Sequence, residues 1–391
     1  MRIAHIADLH LGFRAYHRLT PRGVNVREAD VAAAFQQAVG EVVALRPDVV
    51  LVAGDVFHTV RPSNTAIAAA FRQFSVLAER LPGVPVVLIA GNHDSPRSAD
   101  TGNILTLFRE IEGIVVVAED AETVRLPGLE ASVLCLPHNV LARSEALPAL
   151  EPDPTVRTNL LMLHGTVAGA TAEEKIRYVS EYGGVAVEDT VLGPERWDYV
   201  ALGHYHIATE LTPNMWYAGG IERTSTNIWA EAEGEKGWLL FDTETRRADF
   251  HPVATRAVLD LPRFSARGLT AAEVDERIQA AVEAVPGGIE AKILRLVVSD
   301  LPRVVARELN HRRIRDYKAE ALHFHLDARP PEIRRVVGSG APLRRQTLAE
   351  QVESYLSKHY TPTQEGVRRE TLVALARRYL EQAGEGAEAE G

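Results

Sequence analysis

Short apolar runs in this chain end again and again in residues able to hold a cation. Arg2–Ala7 leads into Asp8-Leu9-His10, and Val49–Ala53 leads into Gly54-Asp55. Val84–Ala90 leads into Gly91-Asn92-His93-Asp94, Leu160–Leu163 into His164-Gly165, and Tyr199–Leu202 into Gly203-His204-Tyr205-His206. Asp8 and His10 stand two apart at a strand exit, so both can converge on one cation; His204 and His206 do the same. Carboxylate, imidazole and amide oxygen without thiolate suit Mn, Fe or Zn at a hydrolytic site. A structural, cysteine-rich zinc site is the wrong chemistry for this set. Each piece alone is commonplace, and an isolated histidine is more often a satisfied core or surface residue. All of them in order, each at a strand terminus, point to one metal-dependent centre.

Elements must bring these strand ends together. Arg2–Ala7, Val49–Ala53, Val84–Ala90, Ile114–Val117, Ala131–Leu136, Leu160–Leu163, Tyr199–Leu202 and Trp238–Phe241 read as buried strands rich in Val, Ile and Leu. Glu28–Leu45 and Ser63–Leu81 have helical spacing, with Ser63 as an N-cap and Pro82-Gly83 as the stop. Strand–helix alternation predicts an α/β layered sheet, and ligands in such sheets sit outside the carboxyl ends of the strands. After Pro252 the pattern changes to strand (Ala257–Leu261), helix (Ala271–Val285), strand (Ile289–Val298), a basic helix and a last strand (Ala321–Leu326). Pro330-Pro331 and Gly338–Pro342 read as a linker. Beyond it, Leu348, Val352, Tyr355 and Leu356 make one apolar helical stripe; Leu372, Leu375, Ala376, Tyr379 and Leu380 make another. The Gly/Ala/Glu-rich end from Glu381 reads as disordered.

With 391 residues, 46% hydrophobic and 25% charged, the chain has material for more than one core. That apolar fraction excludes disorder along the whole length. Apolar stretches are strand-length, far short of the roughly 20 residues of a spanning helix, and the N-terminus lacks the pattern of a signal peptide. A single cysteine, Cys135, excludes an internal disulfide and favours a reducing cytoplasm. The net charge of −10 is unevenly spread: Arg303–Arg345 holds 11 basic against 5 acidic residues, which leaves the remainder at −16. An acidic body with a basic segment fits metal-binding carboxylates beside a separate polyanion contact.

The blocks Asp8-x-His10, Gly54-Asp55, Gly91-Asn92-His93-Asp94, His164 and Gly203-His204-x-His206 resemble those of the calcineurin-like metallophosphoesterase superfamily. The extension Gly54-Asp55-Val56-Phe57-His58, followed by Arg61-Pro62-Ser63, is similar to the SbcD-type branch of DNA double-strand-break repair nucleases. The chain departs from that branch at Ala218-Gly219-Gly220-Ile221-Glu222-Arg223, where the branch often carries Gly-Ser. The resemblance implies a four-layer α/β/β/α sandwich over residues 1–255 and a small α+β capping, DNA-binding domain over 256–335. Residues 336–391 would then be linker, docking helices and tail. It implies two divalent metal ions, foremost Mn: one on Asp8, His10 and His206, the other on Asn92, His164 and His204, with Asp55 bridging. Two cations about 3.5–4 Å apart clamp a phosphodiester and acidify a water. His93, beside a ligand and itself not one, is the general acid for the leaving oxygen. Asp94 either orients His93 or caps the turn. His58 faces the scissile phosphate.

The resemblance also implies partners: DNA as double-stranded ends, hairpins or single strands; a coiled-coil ABC-type ATPase gripped by the C-terminal helices; and a second copy of the chain. The homodimer would use Ile67, Phe71, Phe74, Ile104, Leu107 and Phe108 of the segments Ser63–Leu81 and Asn103–Ile111. Arg61, Arg312, Arg313, Arg315 and Lys318 are the candidate DNA contacts. His17 reads as an exposed loop residue, His323 and His325 as structural, and Cys135 as a small buried hydrophobe. The four tryptophans are too scattered for a base-stacking platform. The expected function is a metal-dependent DNA nuclease, exonuclease and endonuclease, in the cytoplasm at the nucleoid, without a membrane. The alternative is a dinuclear-metal phosphodiesterase or phosphatase acting on small nucleotides; the basic segment and amphipathic tail speak against it.

Overall fold

Strands buried on both faces need continuous Val, Ile and Leu, and such runs build the centre of this chain. The computed structural model describes residues 1–96, 102–143, 147–169, 186–331, 352, 355–356 and 371–376. In chain order its strands begin with β1 (Arg2–Ile6), β2 (Val49–Ala53), β3 (Val86–Ile89), β4 (Ile114–Val117), β5 (Glu122–Leu126) and β6 (Ala131–Leu136). Next come β7 (Thr158–His164), β8 (Thr166–Ala168), β9 (Ala186–Glu188), β10 (Tyr199–Gly203), β11 (Thr209–Thr212) and β12 (Met215–Tyr217). The last are β13 (Gly237–Asp242), β14 (Arg247–Pro252), β15 (Val258–Ser265), β16 (Ile293–Ser299) and β17 (His323–Ala328).

One six-stranded sheet has the order β14-β13-β1-β2-β3-β4, and a second has the order β11-β12-β10-β7-β6-β5. Strands β1 to β4 run parallel, with Ile3 opposite Val49 and Val50 opposite Val86. In the second sheet β6, β7, β10 and β12 are parallel. Period-two alternation divides each strand between two cores. Ile3, Leu51 and Val87 meet Val133, Met162 and Tyr199 between the sheets. Ala4, Val52 and Leu88 face the helices α1 (Val26–Leu45) and α2 (Asn64–Arg80). The spacing of Val31, Phe35, Ala38 and Val42 makes one buried stripe on α1. Ser63 caps α2 as expected, its hydroxyl accepting from Ala66 N at 3.1 Å and donating to Glu28 at 2.6 Å.

The layers are those of an α/β/β/α sandwich, with one difference. Among the described residues the layer outside the second sheet is thin, built from short turns such as His138–Ala142 and Asp189–Leu192. Leu161, Leu163, Val200 and Leu202 are covered there by Val140, Val167, Leu192 and Trp197. Strands β5, β8, β9, β11, β12 and β14 went unread in the sequence because they are short or mostly polar edges. The Asn103–Ile111 segment is a 3-10 helix, Ile104–Glu110.

Strands β15, β16 and β17 form a separate all-parallel sheet against the helix Ala271–Glu283, with Val274, Ile278, Leu296 and Phe324 in its core. The basic segment makes two helices, Arg303–Glu308 and His311–Glu320, rather than one. Leu309 turns inward and Asn310 caps the second helix, accepting from Arg313 N at 3.0 Å. His323 and His325 lie on the strand as expected: His323 stacks on Tyr16 at 4.2 Å, and His325 lies 6.3 Å from Trp229. Cys135 is fully buried.

Residues 1–331 form one compact unit and 332–391 another. In the second, residues 352, 355–356 and 371–376 are helical, within the two stripes read from the sequence. Leu348, Tyr379, Leu380 and the C-terminal tail lie outside the described residues. No helix among the described residues is long and apolar enough to cross a membrane.

Candidate metal centre

The loops leaving β1, β2, β3, β7 and β10 meet at one end of the facing sheets. Close approach there demands glycine at particular positions. A Cβ on Gly91 would lie 2.1 Å from Asp55 Oδ1, and Gly54 adopts φ +88 with His164 Nδ1 2.3 Å from where its Cβ would stand. Four residues of the centre with side chains also have positive φ: Asp8 (φ 51), His10 (φ 46), Asp55 (φ 52) and His204 (φ 111). Tight turns thereby aim their side chains across the sheet end. Backbone bonds from Asp8 N to Gly54 O (3.1 Å) and from His10 N to Asp55 O (2.9 Å) pin the first two loops together.

The side chains converge. Asp8, His10 and His206 present donor atoms within 4.8 Å of one another, and so do Asp8, Asp55 and His164. His10 Nε2 lies 3.0 Å from His206 Nε2. Asn92 Oδ1 lies 2.9 Å from His164 Nε2 and 3.2 Å from His204 Nδ1. Asp8, His10, Asp55, His164, His204 and His206 are all buried. Asp55 Oδ2 is buried with no hydrogen-bond partner in the structure, 3.3 Å from His164 Nε2. Buried oxygen and nitrogen lone pairs facing one another at these distances fit divalent cations of the Mn, Fe or Zn type.

Burial raises the Asp8 carboxyl to about 7, with His164 and His206 opposing and Asp55 adding to the rise. Burial would also raise Asp55, but the adjoining His164, His10 and His93 outweigh it and hold that carboxyl well below the usual range. Burial would lower His164, yet the Asp55 carboxylate overcomes it and takes the imidazole up to about 10. The backbone also orients His164: its Nδ1 lies 2.8 Å from Ala53 O, so Nδ1–H donates and Nε2 faces Asn92.

His58 and His93 join the same centre. His58 Nδ1 is 3.3 Å from His10 Nδ1, and the His58 and His93 rings stack at 5.1 Å. His93 N donates to Asp55 Oδ1 at 2.9 Å. Asp94 is fully buried behind them. Its oxygens accept from Val56 N (3.1 Å), Phe57 N (2.9 Å) and Gly91 N (3.0 Å), so the carboxylate caps the turn that carries Asp55. Arg61, Arg312, Arg313, Arg315 and Lys318 are exposed and lie on other elements: Arg61 before α2, the rest on His311–Glu320. Of the six apolar residues read as a self-association face, Phe74 and Phe108 are wholly buried in the core of α1 and α2. Ile67 and Ile104 are partly buried, whereas Phe71 and Leu107 are 39% exposed.

Sequence reasoning missed a group behind the centre. Glu231 and Lys236 are buried and joined by an ion pair, and Glu231 Oε1 lies 3.4 Å from His206 Nδ1. In the sequence they stand in the run Glu231-Ala-Glu-Gly-Glu-Lys236, which has the composition of a solvated loop, and no spacing rule marks it. Nearby, buried Arg27 pairs with Glu222 at 3.1 Å and donates to Arg223 O at 2.8 Å. Gly220, within the departure from the branch pattern, bonds to His206 O at 3.1 Å.

Comparison with known proteins follows the same lines. The chain is 28% identical over 251 residues to the DNA double-strand break repair protein Mre11 of Methanocaldococcus jannaschii, covering 62% of each chain. It is 34% identical over 113 residues to that of Methanococcus maripaludis, 29% of this chain and 28% of the relative. It is 29% identical over 224 residues to that of Methanopyrus kandleri, 53% and 45%. The matches thus span less than two thirds of these relatives' own lengths. The model of the calcineurin-like phosphoesterase family matches residues 1–208, the part that holds Asp8 through His206. More than half of the chain is covered by that match, and the chain belongs to the calcineurin-like phosphoesterase family.

Proposed function

We propose that this chain is a divalent-metal-dependent DNA nuclease, exonucleolytic with some endonucleolytic action, that processes DNA ends for repair. The observation that carries the reading is the convergence of Asp8, His10, Asp55, Asn92, His164, His204 and His206 from separate strand ends. DNA as the substrate is supported by the repair proteins to which the chain is similar.

Asp8, His10 and His206 would hold one cation and Asn92, His164 and His204 the other, with Asp55 shared between them. Two divalent cations, Mn²⁺ foremost, supply positive charge to the phosphoryl oxygens and lower the pKa of an attacking water. His93 is the general acid: its Nδ1–H donates to the His58 carbonyl oxygen at 2.7 Å, and in the doubly protonated ring Nε2–H gives its proton to the leaving ribose oxygen, returning His93 to the neutral form. His58, stacked on His93, faces the scissile phosphate and favours exonuclease action. Asp94 holds the turn that aims Asp55.

Residues 256–335 act as the capping, DNA-binding domain, with Arg312, Arg313, Arg315 and Lys318 on one exposed helix and Arg61 exposed before α2. Phe71 and Leu107 contribute to a two-fold contact with a second copy. The helices beyond residue 336 dock on a coiled-coil ABC-type ATPase. A buried, unpaired Cys135 is compatible with a reducing cytoplasm.

The test is degradation of linear duplex DNA with Mn²⁺ and with Mg²⁺, wild type beside His93→Ala. Wild type should degrade duplex with Mn²⁺ and the variant should lose most of that activity. Inert duplex alongside rapid hydrolysis of a small nucleotide phosphodiester would overturn the nuclease reading.

A further inference from the structure

A histidine can present a lone pair to a cation only if its proton sits on the other ring nitrogen, so something must hold that proton. For His164 the holder is the Ala53 carbonyl oxygen, 2.8 Å from Nδ1. For His206 the group in that place is a carboxylate. His206 Nε2 points into the centre, 3.0 Å from His10 Nε2, while Nδ1 points away, 3.4 Å from Glu231 Oε1. Glu231 is fully buried, and its other neighbour, Lys236, is buried as well. The Lys236 ammonium pairs with Glu231 Oε2 and also donates to the His206 backbone oxygen at 2.5 Å. One buried cation thus grips both the carboxylate and the backbone of the histidine that the carboxylate faces. Glu231 itself sits in a turn closed by its own N–H to Ile228 O at 3.2 Å, and Arg223 Nε donates to its backbone oxygen at 2.7 Å.

A solvent-shielded Glu–Lys pair contributes little to stability by itself, because desolvation offsets the attraction. Its position against one ligand therefore calls for another task. We propose that Glu231 is a positioning residue for His206: it accepts a hydrogen bond from Nδ1–H and so fixes the tautomer whose Nε2 lone pair faces the cation, while Lys236 fixes Glu231. The inference rests on the reading that His206 holds a divalent cation. Partners of this kind, one bond removed from the cation, typically change metal affinity 10–100-fold when removed.

The experiment is calorimetric titration of the metal-free full chain with Mn²⁺, for wild type, Glu231→Ala, Glu231→Gln and the double variant Glu231→Ala/Lys236→Met, with thermal unfolding of each. Glu231→Ala should weaken one of two Mn²⁺ binding events by about 10–100-fold and leave the other within about threefold. Glu231→Gln, whose amide oxygen still accepts from Nδ1, should restore most of that loss. The double variant removes the stranded lysine charge, so it should unfold near the wild-type temperature yet keep the weakened event. Equal Mn²⁺ binding by wild type and both alanine variants would overturn the positioning role and leave the metal centre standing. Equal weakening of both events, or Glu231→Gln as weak as Glu231→Ala, would overturn it as well. No Mn²⁺ uptake by wild type would overturn the metal reading itself, and this inference with it.

Discussion

The Nδ1 atom of His93 lies 2.7 Å from the backbone carbonyl oxygen of His58. A carbonyl can only accept, so Nδ1 carries a proton and donates it, and acid catalysis would use a second proton on Nε2. Under the proposed assignment His93 is the acid and not a ligand, although the ligand rings crowd it: the His10 and His93 centroids are 4.8 Å apart. His93→Ala should therefore keep its bound Mn²⁺ and lose about 10²–10⁴ in turnover, the range for a general acid. Metal analysis of the purified variant beside its rate on duplex DNA checks this. A metal-free His93→Ala protein would mean that His93 is a ligand.

Asp94 should matter to folding more than to proton transfer. Its carboxylate satisfies three buried backbone N–H groups, and each orphaned donor costs about 1–3 kcal/mol. Asp94→Ala should lose at least about 3 kcal/mol of unfolding free energy in urea. A loss below about 1 kcal/mol would remove the capping role.

Acid should destabilise the fold through His5. Burial lowers its pKa from 6.5 to about 3, with the Leu202 backbone acting weakly in the other direction, and its Nδ1 lies 2.8 Å from the Tyr199 hydroxyl. The unfolded chain then binds the extra proton between those two values. Its contribution to stability is complete above about pH 6.5 and is lost progressively as pH falls toward 3. Between pH 7 and pH 5 the loss from this group is about 2 kcal/mol. Urea unfolding at both pH values should show His5→Gln to be less acid-sensitive than wild type by a comparable amount; parallel curves would exonerate His5.

Salt dependence tests the basic helix. Arg312, Arg313, Arg315 and Lys318 are exposed on His311–Glu320, with Arg313 also bonded to Gln279. If all four contact phosphate, their replacement by serine should flatten the slope of log affinity against log salt by up to about four units. Hydrolysis of a small phosphodiester should stay unchanged. An unaltered slope would leave these residues as an ordinary solvated face.

The site was legible in the sequence where chemistry coincides with strand ends. Asp8, Asp55, Asn92 and His164 follow continuous Val/Ile/Leu runs, and buried parallel strands leave few other ways to arrange them. The helices α1 and α2 were legible because capping residues and breakers bracket a single apolar stripe. What stayed hidden depends on long-range contact. Glu231 faces a histidine 25 positions earlier through an irregular loop, and a buried charge in such a loop is spelled like an exposed one. The three N–H groups that Asp94 accepts from come from Val56, Phe57 and Gly91, two of them distant in the chain, and no local spacing announces them. Phe74 and Phe108 were offered to a partner because a helical stripe does not say how wide its own core is; the 3-10 helix Ile104–Glu110 closes over α2 and claims both.

Three of the cation-facing or bridging residues, Asp8, His10 and Asp55, stand at backbone angles that favour glycine or asparagine, each at a cost on the order of 1–3 kcal/mol. Thermal selection on this chain, with no demand for catalysis, would therefore drift at positions 8, 10 and 55 toward Gly and Asn. The variants it enriched would melt later than their parent while having discarded the ligands. Heat resistance and hydrolysis are thus opposed at these three residues, and a thermostable derivative that keeps its activity must gain its stability elsewhere, on the helices or in the separate three-stranded sheet.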